Sequence, residues 1–112
     1  MQIESETLDG GITSIKLAGR MDVQGAQEID LKFTGYTAKQ TAVIVDLSGV
    51  SFLASIGIRT LLLAAKAVSG RGGKIVLLNP DDNVTKVLEM AGIDTMIPIS
   101  RSLDDARSAV AA

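Results

Sequence analysis

A chain of 112 residues with 11 basic and 13 acidic side chains carries a formal charge of −2, and no stretch gathers Lys or Arg into the phosphate-tracking surface that a direct nucleic-acid partner requires. With no Cys and no His, disulfides and thiolate metal sites are excluded. The commonest zinc ligand and the commonest general base are missing too, which argues against most hydrolases. Hydrophobic residues make up 46% but aromatics only 3%, so the core must be built from Ile, Leu, Val, Ala and Met.

The length suits one domain spanning residues 1–112, burying roughly two thirds of the surface an unfolded chain exposes. The first ten residues hold Glu4, Glu6 and Asp9 and lack a basic-then-apolar leader, and the densest apolar run, Ile58 to Ala65, is broken by Arg59 and closed by Lys66. Neither export nor membrane insertion is signalled, so a cytoplasmic location is expected.

In chain order, residues 2 to 8 and 11 to 18 are β-leaning runs around Asp9-Gly10-Gly11, which predicts an N-terminal hairpin. Thr13, Ile15 and Leu17 share one strand face, with Gly19 closing the strand before the polar step Arg20-Met21-Asp22. Ala26, Ile29 and Phe33 at helical spacing predict a helix from Val23 to about Ala38, capped by Asp22. Ala42 to Val45 reads as a central strand ending at Asp46. A loop from Ser48 to Ala54 follows, then a helix burying Ile58, Leu61, Leu62 and Ala65 and stopping near Ser69-Gly70. Lys74 to Leu78 is the next strand. Asn79-Pro80-Asp81-Asp82 opens a third helix, with Asn79 as its capping side chain and Gly92 as its stop. Thr95 to Ile99 is expected as a short strand that Pro98 confines to an edge. A last helix begins at Ser102, where Ser102 and Asp105 have capping-box spacing. The order ββαβαβαβα gives a single α/β domain, a mixed, mostly parallel sheet packed with about four helices.

Three motifs invite chemistry and are better explained by structure. Gly70-Arg71-Gly72-Gly73-Lys74 has phosphate-loop composition, but it closes a helix and opens a strand, the reverse of what that loop needs. The pairs Asp81-Asp82 and Asp104-Asp105 sit where helices begin and suit the positive helix end, so no metal site is assigned. No base stands at a spacing that would activate a serine, so no catalytic residue is assigned and the chain is read as a non-enzyme.

The segment from Asp46-Leu47-Ser48 through Val50-Ser51-Phe52 to Ser55-Ile56-Gly57 and an apolar helix is more specific. Together with Gly19-Arg20-Met21-Asp22, it resembles the STAS domains of anti-sigma-factor antagonists over essentially the whole chain. The resemblance implies that Ser55 is the phosphorylated serine, that Asp22 is the aspartate of the neighbouring loop, and that Gly57 is the glycine of the helix's first turn. Asp22, Ser55, Ile56, Gly57 and Arg59 then form the partner-binding set. Ala54 and Ile56 stand where the family usually has Asp and a second hydroxyl residue, which leaves Ser55 as the single acceptor. On the residues alone, Ser55 and Asp22 could equally be helix caps, and Arg59 could be solvated rather than meeting a partner carboxylate or a phosphate.

The resemblance further implies an anti-sigma factor that is also a serine kinase of the histidine-kinase-like ATPase fold, and a metal-dependent phosphatase that resets the serine. Nucleotide and metal would belong to those partners, so no cofactor is expected on this chain. Two other readings stay open: a docking subunit of a membrane transporter or signalling scaffold, in which Ser55 is only a cap, and a small enzyme or receiver-like phosphoprotein.

Overall fold

The computed structural model describes residues 1–111. Strands β1 (Gln2–Leu8) and β2 (Ile12–Met21) form an antiparallel hairpin in which Leu8 faces Ile12. Gly10 and Gly11 in its turn take φ of 85° and 75°, a region where a Cβ is unwelcome. The chain then alternates through α1 (Val23–Thr37), β3 (Ala42–Leu53), α2 (Ser55–Gly70), β4 (Lys74–Leu78) and α3 (Asp82–Met90). A 3-10 turn (Ile93–Thr95), β5 (Ile99–Ser100) and α4 (Leu103–Val110) complete it. The five strands form one sheet in chain order, with β2 through β5 parallel and only β1 antiparallel. This is the mixed, mostly parallel α/β architecture expected from the element order.

Strand alternation divides the core between the two sheet faces. Ile15, Leu17, Val43, Val45 and Leu77 belong to the main core with Phe33 of α1, Leu61 of α2 and Leu88 of α3. On the other face Ile12, Ile44, Val76 and Leu78 meet Ala106 and Val110 of α4. Away from α4 that second face is open, so Lys16, Arg20, Ser48 and Phe52 are exposed.

Several local expectations are corrected. Gly19 does not end β2, which runs on to a fully buried Met21, and the supposed loop from Ser48 is strand. The two errors have one cause: each strand's far half is held by the other's, with Ala18 beside Gly49, Arg20 beside Phe52 and Met21 beside Leu53 across two register shifts. A Cβ on Gly49 would lie 3.0 Å from that of Ala18, so a glycine lets the irregular pairing close. Helix α2 buries Gly57, Leu61, Ala64 and Val68, with Ile58, Leu62 and Ala65 only half-buried beside them. The cap of α3 is Asp81, whose Oδ1 accepts from the Val84 N–H at 2.8 Å, not Asn79, which has φ of 47°.

The strand expected from Thr95 is instead a 3-10 turn, with the Thr95 hydroxyl donating to the Gly92 carbonyl. Pro98, which has no N–H to donate, shortens β5 to two residues at the sheet edge. At α4, the Ser102 Oγ accepts from the Asp105 N–H at 3.1 Å. The Gly70–Lys74 segment is a helix-to-strand turn. In it the Arg71 guanidinium donates to the carbonyls of Thr37 (2.7 Å) and Gln40 (3.0 Å), tying the end of α1 to the end of α2.

Candidate functional site at the ends of β2 and β3

Because β2 and β3 are parallel neighbours, their C-terminal ends emerge side by side and each feeds a helix. The Ala54 N–H donates to the Met21 carbonyl at 3.0 Å, which fixes the start of α2 beside the start of α1. Asp22 and Ser55, 33 positions apart in sequence, are brought to one rim by this pairing.

Asp22 is the N-cap of α1: its Oδ1 accepts from the Gly25 N–H at 2.8 Å, and its Oδ2 lies 3.6 Å from Arg20 Nε. The Gly25 hydrogen bond holds the Asp22 carboxyl below the usual carboxylate range; partial desolvation opposes this and the Arg20 charge supports it. A carboxyl depressed on folding stabilises the fold above its unfolded pKa, and that contribution fades as pH falls through the folded value. A carbon-detected NMR titration is therefore expected to place the Asp22 midpoint below the ordinary aspartate value. Asp22→Asn, which keeps a capping oxygen, is expected to flatten the acid limb of the stability curve.

Ser55 is exposed and is the first residue within α2. The cap position belongs to Ala54, which is extended (φ −94°, ψ 169°) and whose carbonyl accepts from the Ile58 N–H. Reading Ser55 as a helix cap is thereby corrected. An alanine cap offers no side-chain oxygen, so α2 begins with the N–H groups of Ser55 and Ile56 ahead of its first hydrogen bond, the Gly57 N–H to the Ala54 carbonyl. The Ser55 hydroxyl is free for other chemistry, beside a helix end whose dipole favours an anion.

Gly57 is buried rather than presented. A Cβ there would lie 2.7 Å from Leu53 Cδ1 and 2.8 Å from Met21 Cγ, so its absence lets the first turn of α2 sit down on the strand ends. Ile56 is half-buried, and with exposed Arg59 it lines a groove of about 330 Å³ between α1 and α2 that includes Ala26, Asp30 and Leu63. The structure thus brings Asp22, Ser55, Ile56 and Arg59 to one end of the molecule, with Gly57 supporting them from beneath.

Two residues at this rim lie within the quoted motifs but carry no role in the sequence reading. Arg20 and Phe52 are cross-strand neighbours, and the guanidinium carbon lies 4.4 Å from the ring centroid. The Val-x-Phe step marked Phe52, but only the shifted β2–β3 register puts Arg20 over it. Among the described residues no group of three or more His, Cys, Asp or Glu is placed to hold a metal ion, and no helix is long and apolar enough to cross a membrane.

Comparison with known proteins gives the family and the fold. The relative named "putative anti-sigma factor antagonist BtrV", from Bordetella bronchiseptica, is 26% identical over 110 residues, covering 97% of this chain and 94% of that one. An anti-sigma factor antagonist from Mycobacterium paratuberculosis has the same fold, with a TM-score of 0.88 at 24% identity over 97% of this chain and 92% of that one. The phosphorylated form of the Bacillus cell fate determinant SpoIIAA superposes with a TM-score of 0.71 at 21% identity, over 96% of this chain and 97% of that one. Residues 3–106 match the STAS domain itself, and this match over most of the chain makes it a member of the STAS domain family.

Proposed function

We propose that this chain, acting as a single STAS domain, is an anti-sigma-factor antagonist of the cytoplasm: it binds an anti-sigma factor and releases it when Ser55 is phosphorylated. The observation that carries the reading is Ser55 itself, an exposed hydroxyl with no capping duty at the start of α2. The antagonist names of the relatives support the class of partner.

The geometry suits a switch that leaves the fold alone. A phosphate on Ser55 would sit at a helix N-terminus, where free N–H groups and the dipole tolerate it. It would add about −1.5 to −2 charges to a surface that also offers the half-apolar groove beside Ile56 and Leu63. A partner packed on that rim would meet a new anion it had not been built to receive. The kinase is proposed to be the anti-sigma factor, of the histidine-kinase-like ATPase fold, and a metal-dependent phosphatase is proposed to restore the serine. In this reading the chain acts by binding and does no chemistry of its own.

The test is affinity capture from the native cell with wild-type, Ser55→Ala and Ser55→Asp proteins, together with intact-mass analysis of the wild type. The expected result is that wild type and Ser55→Ala retain an anti-sigma factor with a kinase fold, Ser55→Asp does not, and the wild type carries one phosphate. Capture of one transporter or scaffold by all three proteins, with no phosphate, would replace this reading with the docking-subunit one.

A further inference from the structure

The rim that holds Ser55 also holds a cation to which none of the roles above assigns a task. Arg20 and Phe52 project from the ends of β2 and β3 on the sheet face that α4 leaves open. The guanidinium stacks on the ring at 4.4 Å, and its Nε edge approaches Asp22 Oδ2 at 3.6 Å. Both contacts orient the group without covering it: the Arg20 side chain remains 63% exposed and Phe52 40% exposed. Neither terminal nitrogen of Arg20 donates to another described residue. An arginine fixed in this way by an aromatic ring and a carboxylate loses little freedom on binding, and its unused fork matches a planar bidentate acceptor. The Asp22 carboxylate approaches on the Nε side and is also engaged by the Gly25 N–H, so the pair is near neutral in sum, and what it offers a partner is the terminal N–H groups of the guanidinium beside an aromatic face.

We propose that Arg20, held by Phe52 and Asp22, determines partner specificity by taking a carboxylate of the bound protein. The partner face that covers the rim is therefore acidic at that point. The inference rests on the partner-switching reading and supplies the sign of the switch. Ser55 follows Phe52 by three residues, a span of at most about 11 Å, so a phosphate there acts on the same local field. Before phosphorylation the partner's carboxylate meets an Arg20 that Asp22 engages only on its Nε side. After phosphorylation it is repelled by the phosphate, which also competes for the guanidinium.

The test uses the anti-sigma factor retained by the wild-type chain, purified, with dissociation constants measured at low and at physiological salt. Arg20→Glu is expected to weaken binding about a hundredfold, Arg20→Lys less because an ammonium neither stacks as well nor forks, and Phe52→Leu about tenfold. The Arg20 variants are also expected to show a shallower salt dependence than wild type, with unchanged circular dichroism. Replacing the acidic partner residue that faces Arg20 by Arg is expected to restore binding of Arg20→Glu, which a merely structural role for Arg20 would not allow. If Arg20→Glu binds like wild type while Ser55→Asp does not, this inference is overturned and the partner switch stands. If the wild-type chain retains no anti-sigma factor at all, both fall together.

Discussion

Gly25→Ala is expected to lower the melting temperature by roughly 10 °C or more, while Gly35→Ala in the same helix raises it slightly. A Cβ on Gly25 would be driven into the backbone carbonyl of Arg20 and would stand 3.2 Å from Asp22 Oδ1, the oxygen that caps α1. Backbone at a strand end cannot give way as a side chain can. The substitution therefore forces either a shift of the first turn of α1 or loss of the Asp22 cap, at a cost of about 3 kcal/mol or more. The higher helix propensity of alanine returns only about 1 kcal/mol. For a domain this size, a net loss of ~2–3 kcal/mol corresponds to roughly the stated change in melting temperature. Gly35 has nothing within 4 Å of an added Cβ, so there the propensity term acts alone, with a gain of about 0.5–1 kcal/mol. Paired thermal melts decide the matter: if both variants were stabilised, the close approach of α1 to Arg20 would be wrong.

Phosphorylation of Ser55 is expected to weaken partner binding about a thousandfold, and Ser55→Asp roughly ten- to a hundredfold. The difference follows from charge. Aspartate brings one negative charge on a short stem, whereas a phosphate brings nearly two and a bulk that an apolar contact must exclude. A loss of about 4 kcal/mol, in the range expected for like charges brought together at an interface, is a factor of about a thousand in the dissociation constant. Ser55→Ala is expected to bind like wild type, because the exposed hydroxyl caps no helix. Isothermal titration of the four forms against one anti-sigma factor separates these values. A Ser55→Ala variant that lost binding would show that the hydroxyl contributes directly to the interface.

What could be read from the sequence was what local chemistry writes there. Gly10-Gly11, the Asp22 cap and the Ser102 cap each satisfy a backbone requirement within a few residues, and each was found where expected. The strand β4, apolar from Ile75 to Leu78, was also placed correctly. Errors arose where a distant segment decides. Nothing near Ser48 announces a strand, because its partner is the equally irregular end of β2, and the two hold each other. The buried face of α2 was misread because Gly57 and Ala64, small and weakly apolar, face the core, while Leu63 is left 56% exposed. At the site, Ser55 and Asp22 were visible through their motifs. That the cap of α2 is Ala54, and that Arg20 lies over Phe52, depends on three-dimensional placement that no spacing encodes.

The most direct measurement is to incubate the purified chain with its anti-sigma factor and ATP, then locate phosphate by tandem mass spectrometry and measure affinity before and after. The account predicts one phosphate, on Ser55, absent from Ser55→Ala, with release of the anti-sigma factor as it accumulates. Phosphate at another residue, or a complex that persists with Ser55 fully phosphorylated, would contradict it.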